Sequence, residues 1–176
     1  MGILPRRAPK APGDLNRRLD IPAGERILAW GSGPVRGGDG SVSTGYLAAT
    51  NRALYVEAIG QRLAWDMVSR ASWEQPVLEV DLLDTAGQPA ERLRLEVSTS
   101  GDLPAAVHDR VRASVMVSEI VEVRDGVRAR MVARRASDDA PVRWSVVFET
   151  GVDATDPGLQ EEARQALDAL RSTLGI

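Results

Sequence analysis

The chain has 176 residues, enough for one large domain or one domain with a substantial extension. It has no cysteine, which excludes disulfides, thiolate zinc sites and cysteine nucleophiles. A single histidine, His108, and a net charge of −3 argue against His-rich metal sites and against a globally basic nucleic-acid binder.

The chain opens on MGILPRRAPKAPGDL. The apolar part is far too short for a signal peptide, and the basic residues follow it instead of preceding it. Arg6 stands where an N-myristoylation pattern wants Ser or Thr. No later run approaches the length that spans a bilayer. Pro5, Pro9 and Pro12 with three basic residues predict a flexible, basic, Pro-rich tail over residues 1–19. Arg6, Arg7 and Lys10 fall short of the roughly four to eight charges of a lipid-binding cluster. A cysteine-free chain suits a reducing cytoplasm, the expected location.

Strand patterns follow from Ile21. RILAWGSG (26–33), YLAAT (46–50), ALYVEAI (53–59), RLAWDMV (62–68) and RASWEQ (70–75) come first. VLEVDLLD (77–84) and RLRLEVS (92–98) then alternate cleanly, with Leu78, Val80 and Leu82 on one face and Leu93, Leu95 and Val97 likewise. That period of two marks half-buried antiparallel strands. Glu79 and Asp81 are expected beside Arg92 and Arg94 across the strand pair. At Asp102 the period changes. Asp102 is an N-cap candidate, Pro104 lies in the first turn, and Leu103, Val107, Val111 and Val115 recur every four residues, which predicts a helix over 103–117.

GYLAATNRALYV (45–56) resembles the Gly/apolar, Thr-Asn-Arg, Leu step of bacterial pleckstrin-homology-like domains and their GRAM relatives. Gly24-Glu25 is similar to the Gly-Glu pair that starts those domains. LAWDMVSRASWE (63–74) resembles their later aromatic-acidic step. The resemblance covers about residues 20–118 and implies a seven-stranded split barrel capped by a C-terminal helix, a fold used for binding. Thr50-Asn51-Arg52 then reads as a tight reversal between strands, because Thr and Asn side chains bond locally to backbone. Phosphoinositide-binding members carry a basic loop at the equivalent of GSGPVRGGDG (31–40); here only Arg36 is basic and Asp39 offsets it.

The last third, 119–176, reads as a β-β-β-α extension packed on the barrel. In SEIVEVRDGVRARMVARR, a hairpin loop of Arg124-Asp125-Gly126 with Gly126 left-handed sets Val121 opposite Ala129 and Glu122 opposite Arg128. VRWSVVFE (142–149) adds a third strand with Trp144, Val146 and Phe148 on one side. Asp156-Pro157 starts a helix whose stripe of Leu159, Ala163, Leu167 and Leu170 is expected against those aromatics. The fold class is therefore mainly β within α+β.

The glycines of 31–40 make no dinucleotide fingerprint, since Arg36 replaces the last Gly and a strand follows where a helix is required; a loop is the expectation. No catalytic constellation stands out: the carboxylates are scattered and His108 lies on a helix near Asp109 and Arg110. No cofactor and no metal are expected. The four Trp read as core residues. One charge feature invites a function. Arg128, Arg130 and Arg134 alternate, and Arg143 joins them from the next strand, which predicts an Arg-bearing solvent face able to take carboxylate or phosphate. The expectation is a non-enzymatic interaction module for an unknown, acidic protein partner, with self-association through exposed strand edges also open. The rivals are an anionic-surface or nucleic-acid binder using the same face, for which the sequence gives no strong signal, and an enzyme in which a carboxylate and His108 converge.

Overall fold

Short alternating segments punctuated by glycine turns build three antiparallel sheets, here described from a computed structural model over residues 11–36 and 42–175. The first sheet holds β1 (Ile27–Arg36), β2 (Val42–Thr50), β3 (Ala53–Val56) and β4 (Gln61–Ala64) in that order. A 3₁₀ turn over Glu57–Ile59 ends on Gly60 at φ +60°, where the left-handed backbone favours glycine. A second 3₁₀ turn, Trp65–Met67, carries the chain to β5 (Val68–Glu74), β6 (Val77–Leu83) and β7 (Pro89–Glu96), the second sheet. The segment 62–68, expected as one strand, is thus broken at its middle.

The seven expected strands form two open sheets, not one continuous ladder. The inner faces of the two sheets nevertheless share a core: Leu47, Leu54, Val56 and Leu63 meet Trp65, Leu78, Val80, Leu93 and Val97. The predicted cross-strand pairs are present. Asp81 faces Arg92 and Glu79 faces Arg94, the latter pair 2.6 Å apart.

Helix α2 (Leu103–Ser114) covers this core with Leu103, Val107 and Val111. Asp102 precedes it without making a side-chain capping bond. The helix stops three residues short of the expected end, since Val115 is extended (φ −76°, ψ 117°) and opens the next strand. β8 (Val115–Arg124), β9 (Val127–Arg134) and β10 (Arg143–Phe148) form the third sheet, in the order β10-β9-β8, and α3 (Pro157–Leu174) lies across one face. The hairpin register is as expected: Val121 pairs with Ala129 and Glu122 with Arg128, and Gly126 is left-handed at φ +73°. The loop is tighter than expected, because Arg124 itself pairs with Val127 and a bulge at Val123 absorbs the extra residue.

Two expectations are corrected here. The strand expected over 26–33 runs on through residues 34–36, which the reading of 31–40 as a loop had placed outside it, while 37–41 lie outside the described residues. The glycines serve close approach. Ser32 bridges Thr99, its N–H donating to the Thr99 carbonyl at 2.8 Å, and a Cβ on Gly31 or Gly33 would run into the chain at 96–99. The second correction concerns the tail. Its residues 1–10 lie outside the described residues, but α1 (Leu15–Arg18) is docked, not flexible: Leu15, Leu19 and Ile21 are buried against Ala48, Ala53 and Tyr55 on the outer face of the first sheet. The apolar surface that Leu15, Leu19 and Ile21 bury outweighs the prolines around them.

Candidate interaction surface on the third sheet

Thr50-Asn51-Arg52 is a structural corner. The buried Thr50 hydroxyl accepts the N–H groups of Arg52 (3.1 Å) and Ala53 (3.0 Å) and donates to Glu25 at 2.8 Å. Asn51 accepts the Arg26 N–H at 2.7 Å, and Trp65 donates its indole N–H to the Thr50 carbonyl at 3.0 Å. These bonds tie the corner to the residues before β1 and to the turn after β4.

The four Arg singled out from the sequence share one face of the third sheet, since Arg143 pairs directly with Arg134. The face is divided. Its end near the two core sheets is covered, and Arg134 and Arg143 are clamps there instead of solvent residues. Arg134 is 8% exposed and donates to the Ser69 carbonyl (3.1 Å) and the Ser114 hydroxyl (3.3 Å). Burial without a carboxylate pushes its guanidinium below its ordinary value. Arg143 makes an ion pair of 3.0 Å with the buried Asp66 on the Trp65–Met67 turn and donates to the Thr85 carbonyl at 3.0 Å. The backbone of Gly87 lies so close to β10 that a Cβ there would run into the Trp144 carbonyl.

The far end of the same face is open. Arg128 and Arg130 are exposed there. Arg128 is 3.1 Å from Glu149, so its charge is already balanced. Arg130 reaches diagonally to the Ser118 hydroxyl at 3.3 Å and has no carboxylate within ion-pair distance among the described residues. The register places Ile120, Arg130 and Val147 in one row across the three strands, with Ile120 53% and Val147 46% exposed. Alternation in VSEIVEV places Ile120 on the same face as Ser118 and Glu122, a signal the sequence itself carries. The burial of Arg134 and Arg143 was not legible, because the covering groups, Ser69, Asp66 and Thr85, lie far away in sequence.

On the other face, Trp144, Met131 and Ala133 pack with Leu167 and Leu170 of α3, and Arg171 sits 5.5 Å over the Trp144 ring. Phe148 is only half-buried. It lines a cleft of about 480 Å³ together with Trp144, Val146, Leu167, Gln88 and Arg164. Of its polar rim, Arg164 is already bonded to Glu161 and Gln160 donates to the Ala154 carbonyl at 2.9 Å.

The alternative chemistries find little geometry. The His108 side chain is 59% exposed and its nearest acid is its chain neighbour Asp109, 3.7 Å away. Among the described residues no three acidic or histidine side chains converge as a metal site would require, and no helix is long and apolar enough to cross a membrane. Comparison with protein families, with curated proteins and with solved structures returned no match.

Proposed function

We propose that this chain is a non-enzymatic interaction module, acting in the cytoplasm, in which a pleckstrin-homology-like core carries the third sheet as a docking platform for an acidic protein segment. The core reading is supported by the order of elements: four antiparallel strands, three antiparallel strands, then a helix over the shared core. The observation that carries the docking reading is Arg130, an exposed guanidinium with only a hydroxyl partner, set between Ile120 and Val147 on an uncovered sheet face. Guanidinium takes a carboxylate in two parallel hydrogen bonds, and the flanking apolar side chains supply the contact that keeps water from competing. With Arg134 and Arg143 committed to the fold, the positive patch is small, which favours a short peptide segment over a duplex.

A labelled polyglutamate peptide and a labelled single-stranded oligonucleotide test this side by side. The peptide is expected to bind, and the double variant Arg128→Glu, Arg130→Glu is expected to keep the strand and helix circular dichroism while losing the peptide. Equal peptide binding by the folded double variant would remove this face from the reading. Preferred binding of the oligonucleotide, with affinity falling steeply with salt, would replace it with the nucleic-acid one.

A further inference from the structure

We propose that the acidic segment taken by this face is β8 of a second copy of the chain, so that two copies pair antiparallel along β8 about a two-fold axis at Ile120; this rests on the docking reading above. β8 is an edge strand: it is bonded to β9 on one side, and among the described residues the outward N–H and C=O groups of 117–122 have no other backbone partner. Proteins blunt such edges with Lys, Pro, bulges or a covering element. β8 has bulges only near its two ends, at Met116 and Val123, and 117–122 reads VSEIVE, with neither Lys nor Pro. The unbulged middle, whose only charges are Glu119 and Glu122, is a template for a strand that can match them.

Symmetry then selects the register. A two-fold axis perpendicular to the sheet pairs residues of the same face, so the axis must pass through a residue. At Glu119 it would set two carboxylates against each other, which destabilises. At Val121 the ladder would meet the bulged Val123 already at Glu119, two residues from the axis, whereas the register at Ile120 meets it only at Val117, three residues away. At Ile120 it sets Ile120 against its own copy, Ser118 against Glu122 and Glu119 against Val121, with no like charges opposed. The exposed row Val147–Arg130–Ile120 then continues without interruption into Ile120–Arg130–Val147 of the second copy.

The same register resolves the unmatched charges. Arg130 already points at Ser118, 3.3 Å away, and Ser118 is the residue that Glu122 of the second copy would face. Glu122 is exposed and has no ion-pair partner within its own chain among the described residues; its only bond is a 3.4 Å contact from the Gly126 N–H. Pairing at Ile120 thus brings an unmatched cation and an unmatched anion together twice, once on each side of the axis.

Sedimentation equilibrium of the full chain over a range of concentrations tests the arrangement. The wild type is expected to dimerise, and Ile120→Lys is expected to be a folded monomer, since that side chain already faces water. Arg130→Glu alone and Glu122→Arg alone should each weaken the dimer about tenfold, because each variant replaces two opposite-charge contacts by two repulsive ones. The combined Arg130→Glu, Glu122→Arg variant should regain wild-type association. A wild type that stays monomeric at every concentration overturns the inference, as does a dimer indifferent to Ile120→Lys or a swap that does not restore it. The polyglutamate assay separates the two levels. A monomer that still binds the peptide through Arg130 leaves the docking reading standing and removes the dimer; a monomer that ignores the peptide removes both.

Discussion

A single hydroxyl at Thr50 serves three groups, two N–H donors and the Glu25 carboxylate, at a position with no solvent exposure. Thr50→Val keeps the shape and removes the bonds. It leaves buried donors unmatched, which costs about 1–3 kcal/mol, read as a lower urea midpoint at unchanged slope. Glu25, whose side chain is 5% exposed, keeps Arg62 at 3.1 Å in that variant, so its carboxylate is not stranded. The ion pair between Asp66 and Arg143 is less forgiving. The Asp66 side chain is 6% exposed, and Arg143→Met leaves its charge buried without a counter-ion, expected to cost about 3–5 kcal/mol in the same measurement. Replacing both partners, Asp66→Leu with Arg143→Met, is expected to recover most of that loss, because an apolar pair carries no desolvation penalty. Failure of the double variant to recover would show that geometry at the junction, and not charge, governs this contact.

At the scale of elements, α3 is fastened by acidic groups at its start. Asp156 accepts the N–H groups of Leu159 (3.2 Å) and Gly158 (2.7 Å), and these bonds hold its carboxyl below the ordinary value of 3.8. Arg164, and then Gln165, push Glu161 down to about 2. Both carboxylates titrate lower in the folded chain than in the unfolded one. Their contribution is therefore complete above about pH 4.5 and is lost as the pH falls through the lowered values. Acid titration followed by helix circular dichroism should show α3 loosening below pH 4.5, and the double variant Asp156→Asn, Glu161→Gln should lose less helix over that range. An identical acid profile for variant and wild type would rule out these two groups.

α3 also shows what the sequence carries and what it withholds. Asp156-Pro157 marked its start and the leucine stripe its buried side, because each is a local signal. The β8–β9 register was legible for the same reason, since Val121 and Ala129 must share the apolar face, but the means was not: a bulge at Val123 with a two-residue loop keeps that register as well as the expected three-residue loop would. α1 carries no such local signal, because four residues with three prolines upstream make no periodic pattern of their own; what orders it is the complementary patch of Ala48, Ala53 and Tyr55, 30 residues or more away. Arg134 and Arg143 were misplaced by the same gap. Strand alternation tells which face a side chain takes, but not whether another element covers that face at one end. The surface that remained for a partner, Ile120, Arg130 and Val147, therefore needed the tertiary structure to separate it from the clamps.

For the molecule as a whole, the three sheets are held by different means. α1 and the residues after it seal the outside of the first sheet, and Leu15, 1% exposed, is the deepest of them. Leu15→Ala is expected to cost about 2–5 kcal/mol by thermal or urea unfolding, a core-sized loss from what the sequence presents as a tail. A loss below about 0.5 kcal/mol, the level of ordinary surface substitutions, would mean that the segment is ornamental. The third sheet is joined by Arg134, Arg143 and the loop at Gly87, and by the absence of any residue between α2 and β8, since Ser114 ends one and Val115 begins the other.

That direct junction sets how the protein comes apart. A protease needs a stretch of chain that can be lifted into its cleft, and here the last helical turn passes straight into a paired strand whose neighbour, Arg135, is bonded through its N–H to the Ser114 carbonyl at 2.8 Å. Limited digestion should therefore spare 112–118 and leave no stable fragment corresponding to the third sheet alone. Calorimetry should record one cooperative transition for the whole molecule instead of two. The third sheet is thus carried as a fixed arm, and whatever it grips is held at a set angle to the seven-stranded body.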